Sequence, residues 1–234
     1  MTSLDEQWAA LAALAEPLRR RLYLHVVSSA GLVSRDDAAA AMGVPRSVAA
    51  FHLDKLVGAG LLEVEYRRPP GRAGPGAGRP AKHYRRARRE FAVSVPERHY
   101  DVVASLLAEA AREVQAPGQP LKEALHAAAR RHGQGLGAAA AFGGGSGRPI
   151  LDQLAEVLAG EGYEPRRESG ALTLVNCPFQ ALAAAYPDLV CGMNHELVAG
   201  LIERLDAPGV VAVLDPGPDR CCVRVLVDGG HSAH

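Results

Sequence analysis

Apolar residues recur at helical spacing from the start of the chain: Leu11, Leu14, Leu18 and Leu22, then His25 and Val26. Pro17 cuts the run, so the pattern predicts a short helix ending near Glu16 and a second one beginning there. Ser34 is placed to cap a helix over 35–42, whose first turn carries Asp36 and Asp37 where the helix dipole favours acids. Gly43 stops that helix, Val44 and Pro45 turn the chain, and Ser47 is the expected cap of a helix reaching about Val57. Val48, Phe51 or His52, Leu53 and Leu56 form its expected core face. Beyond Gly58 and Gly60, residues 61–67 alternate like a strand, 71–80 are turn-rich, and 81–86 can return as a second strand. Two helices joined by a tight turn form a helix-turn-helix, and the hairpin behind it is a wing.

Further on, Pro96 is the expected first residue of a helix to about Gln115, with Val102, Val103, Leu106, Leu107 and Ala110 on one face. A second helix follows Pro120 through Leu121, Leu125, Ala128 and His132, and Gly133, Gly135 and Gly137 are expected to loosen its end. The run 143–147 has the composition of a flexible linker. Residues 148–234 mix periods: a helix through Ile150, Leu151, Leu154, Val157 and Leu158, a hairpin around Ser169 and Gly170, a helix over 190–206, and strands over 210–214 and 221–227. The fold class is therefore α+β. It divides into a winged helix-turn-helix over 1–92, a helical dimerisation segment over 96–142 and an α+β sensor domain over 148–234.

Charge sharpens this division. Residues 1–95 hold 15 Lys and Arg against 9 Asp and Glu, whereas 96–234 hold 11 against 17. The basic half is the one that suits a polyanion. No apolar run reaches the roughly 18 residues of a membrane span, and the acidic start, Met1 to Trp8, lacks the shape of a signal peptide. A cytoplasmic chain that keeps its thiols reduced is expected.

The hairpin carries Arg67, Arg68, Arg72, Arg79 and Lys82, with Arg85, Arg86, Arg88 and Arg89 at its base. Glycines let such a loop follow a phosphate backbone or enter a minor groove. The phrases VPRSVAAFHLDKLVGAGLLEVEYRR and GPGAGRPAKHYRR resemble winged-helix repressors of the ArsR and SufR type. The resemblance implies that the second helix lies in the major groove of a double-stranded DNA operator. Arg46, Ser47, Ala50, His52 and Lys55 are then the groove-facing residues, with Arg46 or Lys55 on a guanine edge. A homodimer would match a two-fold operator.

All four cysteines, Cys177, Cys191, Cys221 and Cys222, lie in the C-terminal region. Cys191 is expected to open a helix, where the dipole stabilises thiolate, with His195 one turn on. Cys221 and Cys222 begin a strand and should point to opposite faces, so at most one is an easy ligand. Zinc-ribbon spacing is absent. Separated thiolates of this kind suit an iron–sulfur cluster or a sensing metal. The phrases VNCPFQALAAAYPDLVCGMNHELVAGLIERL and CCVRVLV resemble the sensor domain of SufR-like regulators, itself similar to 4-vinyl reductase ligand domains. That implies a 2Fe–2S or 4Fe–4S cluster on Cys177, Cys191 and one of Cys221 and Cys222, with His195 or a non-protein ligand in a fourth place, in a repressor. The alternative signals are zinc or another metal, nitric oxide, or a small organic molecule. An enzyme using Cys191 as nucleophile has no supporting His–Asp pattern or phosphate loop.

Overall fold

The computed structural model describes residues 4–67, 80–114, 120–142, 148–168 and 170–227. It is α+β and forms two compact units, Met1–Val93 and Ser94–His234. The first begins with α1 (Leu4–Ala15) and α2 (Pro17–Ser28). Pro17 occupies the first turn of α2, and the Glu16 carboxylate caps it by accepting from the Leu18 and Arg19 amides at 3.1 and 2.6 Å. Strand β1 (Val33–Ser34) leads into α3 (Arg35–Met42), which Ser34 and Asp37 close with a reciprocal capping box. Gly43 ends α3 at φ 66°, a left-handed conformation that suits glycine.

Helix α4 (Arg46–Gly58) follows three residues later. Its N-cap is Pro45, with no side-chain cap, so Ser47 is not the cap that the sequence suggested. Strands β2 (Leu62–Arg67) and β3 (Ala81–Arg86) pair antiparallel, and β1 joins the far edge of β3 in the order β1-β3-β2. Leu22, Val26, Leu53, Leu56, Leu62 and Tyr84 form the core beneath.

The second unit contains α5 (Tyr100–Glu113), α6 (Leu121–Phe142) and α7 (Ile150–Gly160), then β4 (Pro165–Glu168) and β5 (Ala171–Leu174). After α8 (Gln180–Ala185) and α9 (Pro187–Arg204) come β6 (Val210–Leu214) and β7 (Val223–Val227). The sheet is antiparallel throughout, in the order β4-β5-β7-β6. Helices α5 and α6 do not stand apart from this fold. Val103, Leu106, Ala110, Leu125, Ala128 and Ala129 share one core with α7, α9 and the sheet. The apolar stripes read as dimer contacts are thus largely spent inside the unit. Pro96 also lies before α5 rather than in it: the segment around it is tied down by Arg98, as described below.

Helix α6 runs unbroken through Gly133, Gly135 and Gly137. Gly133 is a packing position rather than a loose end. A Cβ on Gly133 would lie 1.9 Å from the Leu197 carbonyl oxygen, and one on Gly200 of α9 would lie 2.2 Å from the Arg130 carbonyl oxygen. The two backbones cross so closely that only hydrogen fits between them, and their contact is the most extensive in the unit.

Candidate nucleic-acid interface and thiol site

Helix α4 buries Ala49, Leu53 and Leu56 against the first unit's core. At 100° per residue this fixes the opposite face as Arg46, Ser47, Ala50, Phe51, Asp54 and Lys55. Four of the five helix positions proposed for DNA contact lie on it. His52 does not: its side chain turns to the start of α2, where Nδ1 is 3.4 Å from a Glu16 carboxylate oxygen. Phe51 replaces it on the outer face, 54% exposed, with the Lys55 Nζ 5.7 Å from its ring centroid. A polar cleft of about 480 Å3 opens beside the start of α4, lined by Ser34, Arg35, Arg46, Tyr66 and Lys82.

The angle between α4 and the hairpin is set by one polar network. The Tyr84 hydroxyl donates to Asp54 Oδ1 at 2.8 Å and accepts from Arg35 Nε at 2.8 Å. Arg35 Nη2 reaches Asp54 Oδ2 at 2.6 Å, and Lys82 Nζ reaches Oδ1 at 3.2 Å. Burial works to raise the Asp54 pKa, but the bonds from Tyr84, Lys82 and Arg35 outweigh it and hold the carboxyl below its usual value. Tyr84 is pushed up to about 12, first by burial. Lys82 therefore serves to place the strand as well as to carry charge. Asp54→Asn is expected to cost about 1 kcal/mol, a figure discounted for the partial exposure of Asp54. A depressed carboxyl contributes fully above its unfolded value of ~3.9 and loses that contribution as pH falls through its lower folded value. Urea midpoints of wild type and Asp54→Asn should therefore differ at neutral pH and converge below about pH 3.

The remaining basic residues are partly engaged. Arg46 pairs with Asp36 at 2.7 Å, Arg67 with Glu65 at 2.7 Å and Arg85 with Glu63 at 2.9 Å, all at exposed sites that leave the cations within reach of a polyanion. Arg68, Arg72 and Arg79 lie outside the described residues.

In the second unit the four cysteines, from three separate places in the chain, come together as a chain of neighbouring thiols. All four are free thiols; Cys177 neighbours Cys221, Cys221 neighbours Cys222, and Cys222 neighbours Cys191. The doublet lies just before β7, where the Cys221 amide donates to the Leu174 carbonyl and the Cys222 carbonyl accepts from the Asp215 amide, both at 2.8 Å, and the alternation of buried and half-buried residues along β7 continues through it. Cys177 and Cys221 are buried, and Cys191 and Cys222 half-buried. The Cys221 thiol raises the Cys177 pKa, helped by burial. For Cys221 the Cys177 thiol works downward, but the Cys222 thiol and burial prevail and push it up to about 12. Burial raises Cys191 as well. Helix α9 begins at Pro187, four residues before Cys191, so the dipole argument for this thiol fails.

His195 is also displaced from the predicted set. Its Nδ1 lies 3.1 Å from Glu196 Oε1 and its Nε2 3.1 Å from the Ala212 carbonyl, so both ring nitrogens are occupied. Two asparagines take the supporting roles. Asn194, 1% exposed, donates from Nδ2 to Cys221 Sγ at 3.2 Å while its Oδ1 accepts from the Tyr163 hydroxyl. Asn176 donates to the Gly162 carbonyl at 2.6 Å and accepts from Arg98, which also donates to the Cys177 carbonyl at 3.1 Å. Both asparagines sit within three residues of a cysteine, in the phrases Asn-Cys-Pro-Phe and Cys-Gly-Met-Asn. That adjacency was the available signal.

The donor set fits an iron–sulfur group in kind and number, and the Asn194 amide supplies an N–H to one sulfur. Among the described residues, no three His, Cys, Asp or Glu side chains already surround a point where a metal ion would sit.

The family model of a helix-turn-helix domain matches residues 14–65, from the end of α1 into β2. No curated protein and no solved structure matches the chain. Among the described residues no helix is long and apolar enough to cross a membrane. The match and the three-stranded hairpin sheet behind α4 make the first unit the DNA-binding domain of a transcriptional regulator of the winged helix-turn-helix kind.

Proposed function

We propose that this regulator is a homodimeric, cytoplasmic repressor that binds a two-fold operator through α4 and the wing, and whose affinity is set by the thiol site of its second unit. The observation that carries the sensing half is the convergence of Cys177, Cys191, Cys221 and Cys222 into one connected group, although 45 residues separate the first from the last. These four residues would hold an iron–sulfur cluster. Such a cluster supplies a link among the thiolates that is sensitive to oxidation. Asn194 stabilises the Cys221 sulfur, Tyr163 orients Asn194, and Arg98 with Asn176 fixes the segment that carries Cys177. The arginines of the wing, Arg67, Arg68, Arg72 and Arg79, act on phosphates.

Oxygen-free purification, followed by visible absorption and assays for iron and acid-labile sulfide, tests this reading. Coloured protein with both elements is expected, and Cys191→Ser should abolish loading. Full iron and sulfide in that variant would remove Cys191 from the ligand set. Colourless protein without iron or sulfide would overturn the cluster.

A second reading, a small organic signal in place of the cluster, is favoured by one observation. An apolar cavity of about 200 Å3 lies among Val103, Leu107, Leu125, Leu182, Tyr186 and Met193. Its lining would accept a compact hydrocarbon-rich molecule.

A further inference from the structure

Phe51 occupies the middle of the outer face of α4, one turn from Ser47 and one turn from Lys55. Its ring is 54% exposed, on a helix that buries the much smaller Ala49 instead. The Lys55 ammonium lies 5.7 Å from the ring centroid, and the His52 ring packs edge-on with centroids 5.3 Å apart. These neighbours hold the ring without covering it. Ala50, beside it, is small enough to let a flat surface approach.

The base edges of a major groove offer hydrogen-bonding groups that a hydrocarbon ring cannot use, and one apolar group, the C5-methyl of thymine. Arg46, Ser47 and Lys55 around the ring match a polyanion; a face built to meet another protein chain would ring the phenylalanine with apolar side chains. We infer that Phe51 is a specificity-determining residue that packs on a thymine methyl, so that the preferred operator carries thymine among the base pairs under α4. The inference rests on α4 being the helix that reads DNA. Arg46 and Lys55 bracket the contact and fix the register of the ring along the groove.

The test begins by selecting preferred duplexes from a random pool with the full-length protein. Each thymine of a selected duplex is then replaced by uracil, which removes the methyl group alone, and affinity is read by fluorescence anisotropy. One or two replacements are expected to weaken wild-type binding about fourfold, or about 0.8 kcal/mol, the transfer free energy of one methyl-sized group. Phe51→Ala should bind more weakly and lose the distinction between thymine and uracil at those positions, with an unchanged melting temperature. Phe51→Leu should keep part of it. A uracil series that is flat at every position, or discrimination that survives in Phe51→Ala, overturns the inference while leaving sequence-specific binding intact. A pool from which no duplex is enriched overturns the DNA-reading role of α4, and the inference with it.

Discussion

Alanine in place of Gly200 or Gly133 is expected to lower the melting temperature of the second unit by roughly 10 °C, an effect of about 3 kcal/mol. The added Cβ would meet the Arg130 carbonyl oxygen at 2.2 Å in one case and the Leu197 carbonyl oxygen at 1.9 Å in the other. Both obstacles are backbone, so no side chain can swing away and the helices must separate. Separation would open the contact that buries Leu197 and Leu201. Gly135 provides the control within the same helix. A Cβ there meets nothing within 4 Å, and alanine should be neutral or stabilising by up to about 1 kcal/mol through helix propensity alone. Calorimetry of the three variants checks the account; equal responses at Gly133 and Gly135 would contradict it.

Arg46→Ala is expected to weaken specific DNA binding about tenfold to a hundredfold, and more than Lys55→Ala does. Arg46 is paired with Asp36 at 2.7 Å, and both groups are well exposed. Removing the arginine deletes a cation and also leaves the Asp36 carboxylate uncompensated beside the phosphates. Asp36→Asn alone should act in the opposite direction and tighten binding, since it frees Arg46 from a competing partner. Gel shifts with the three variants decide the matter, with melting temperatures as the folding control. Stronger loss in Lys55→Ala, or weaker binding in Asp36→Asn, would show that Arg46 does not lead the contact.

Local signals in the chain were legible because their causes are local. Pro17 splits α1 from α2, Ser34 and Asp37 form the capping box, and Gly43 closes α3, each within a turn of the residue that causes it. The orientation of α4 was harder. Hydrophobicity favoured Phe51 for the core, yet Ala49, Leu53 and Leu56 define the buried line, and Phe51 lies 200° round from Ala49. A small buried alanine carries little weight in a hydrophobic pattern, although it decides the face. Gly133 has the look of a helix breaker because its justification, the backbone of α9 at Leu197, is more than 60 residues away. Helix α9 starts at Pro187 and Asp188, ahead of the apolar run that suggests 190, so Cys191 stands a full turn inside the helix. The meeting of Cys177 with Cys221 depends on β5 lying beside β7, and that of Cys191 with Cys222 on α9 packing against the sheet, neither of which any spacing in the sequence encodes.

The most direct test of the central claim is the affinity of the full-length protein for a selected duplex and for its scrambled counterpart across a range of salt. The selected duplex is predicted to bind at least about a thousandfold more tightly, with log affinity falling linearly against log salt at about −0.9 per phosphate neutralised. Equal affinities for the two duplexes, with no dependence on salt, would contradict a regulator that reads DNA through α4.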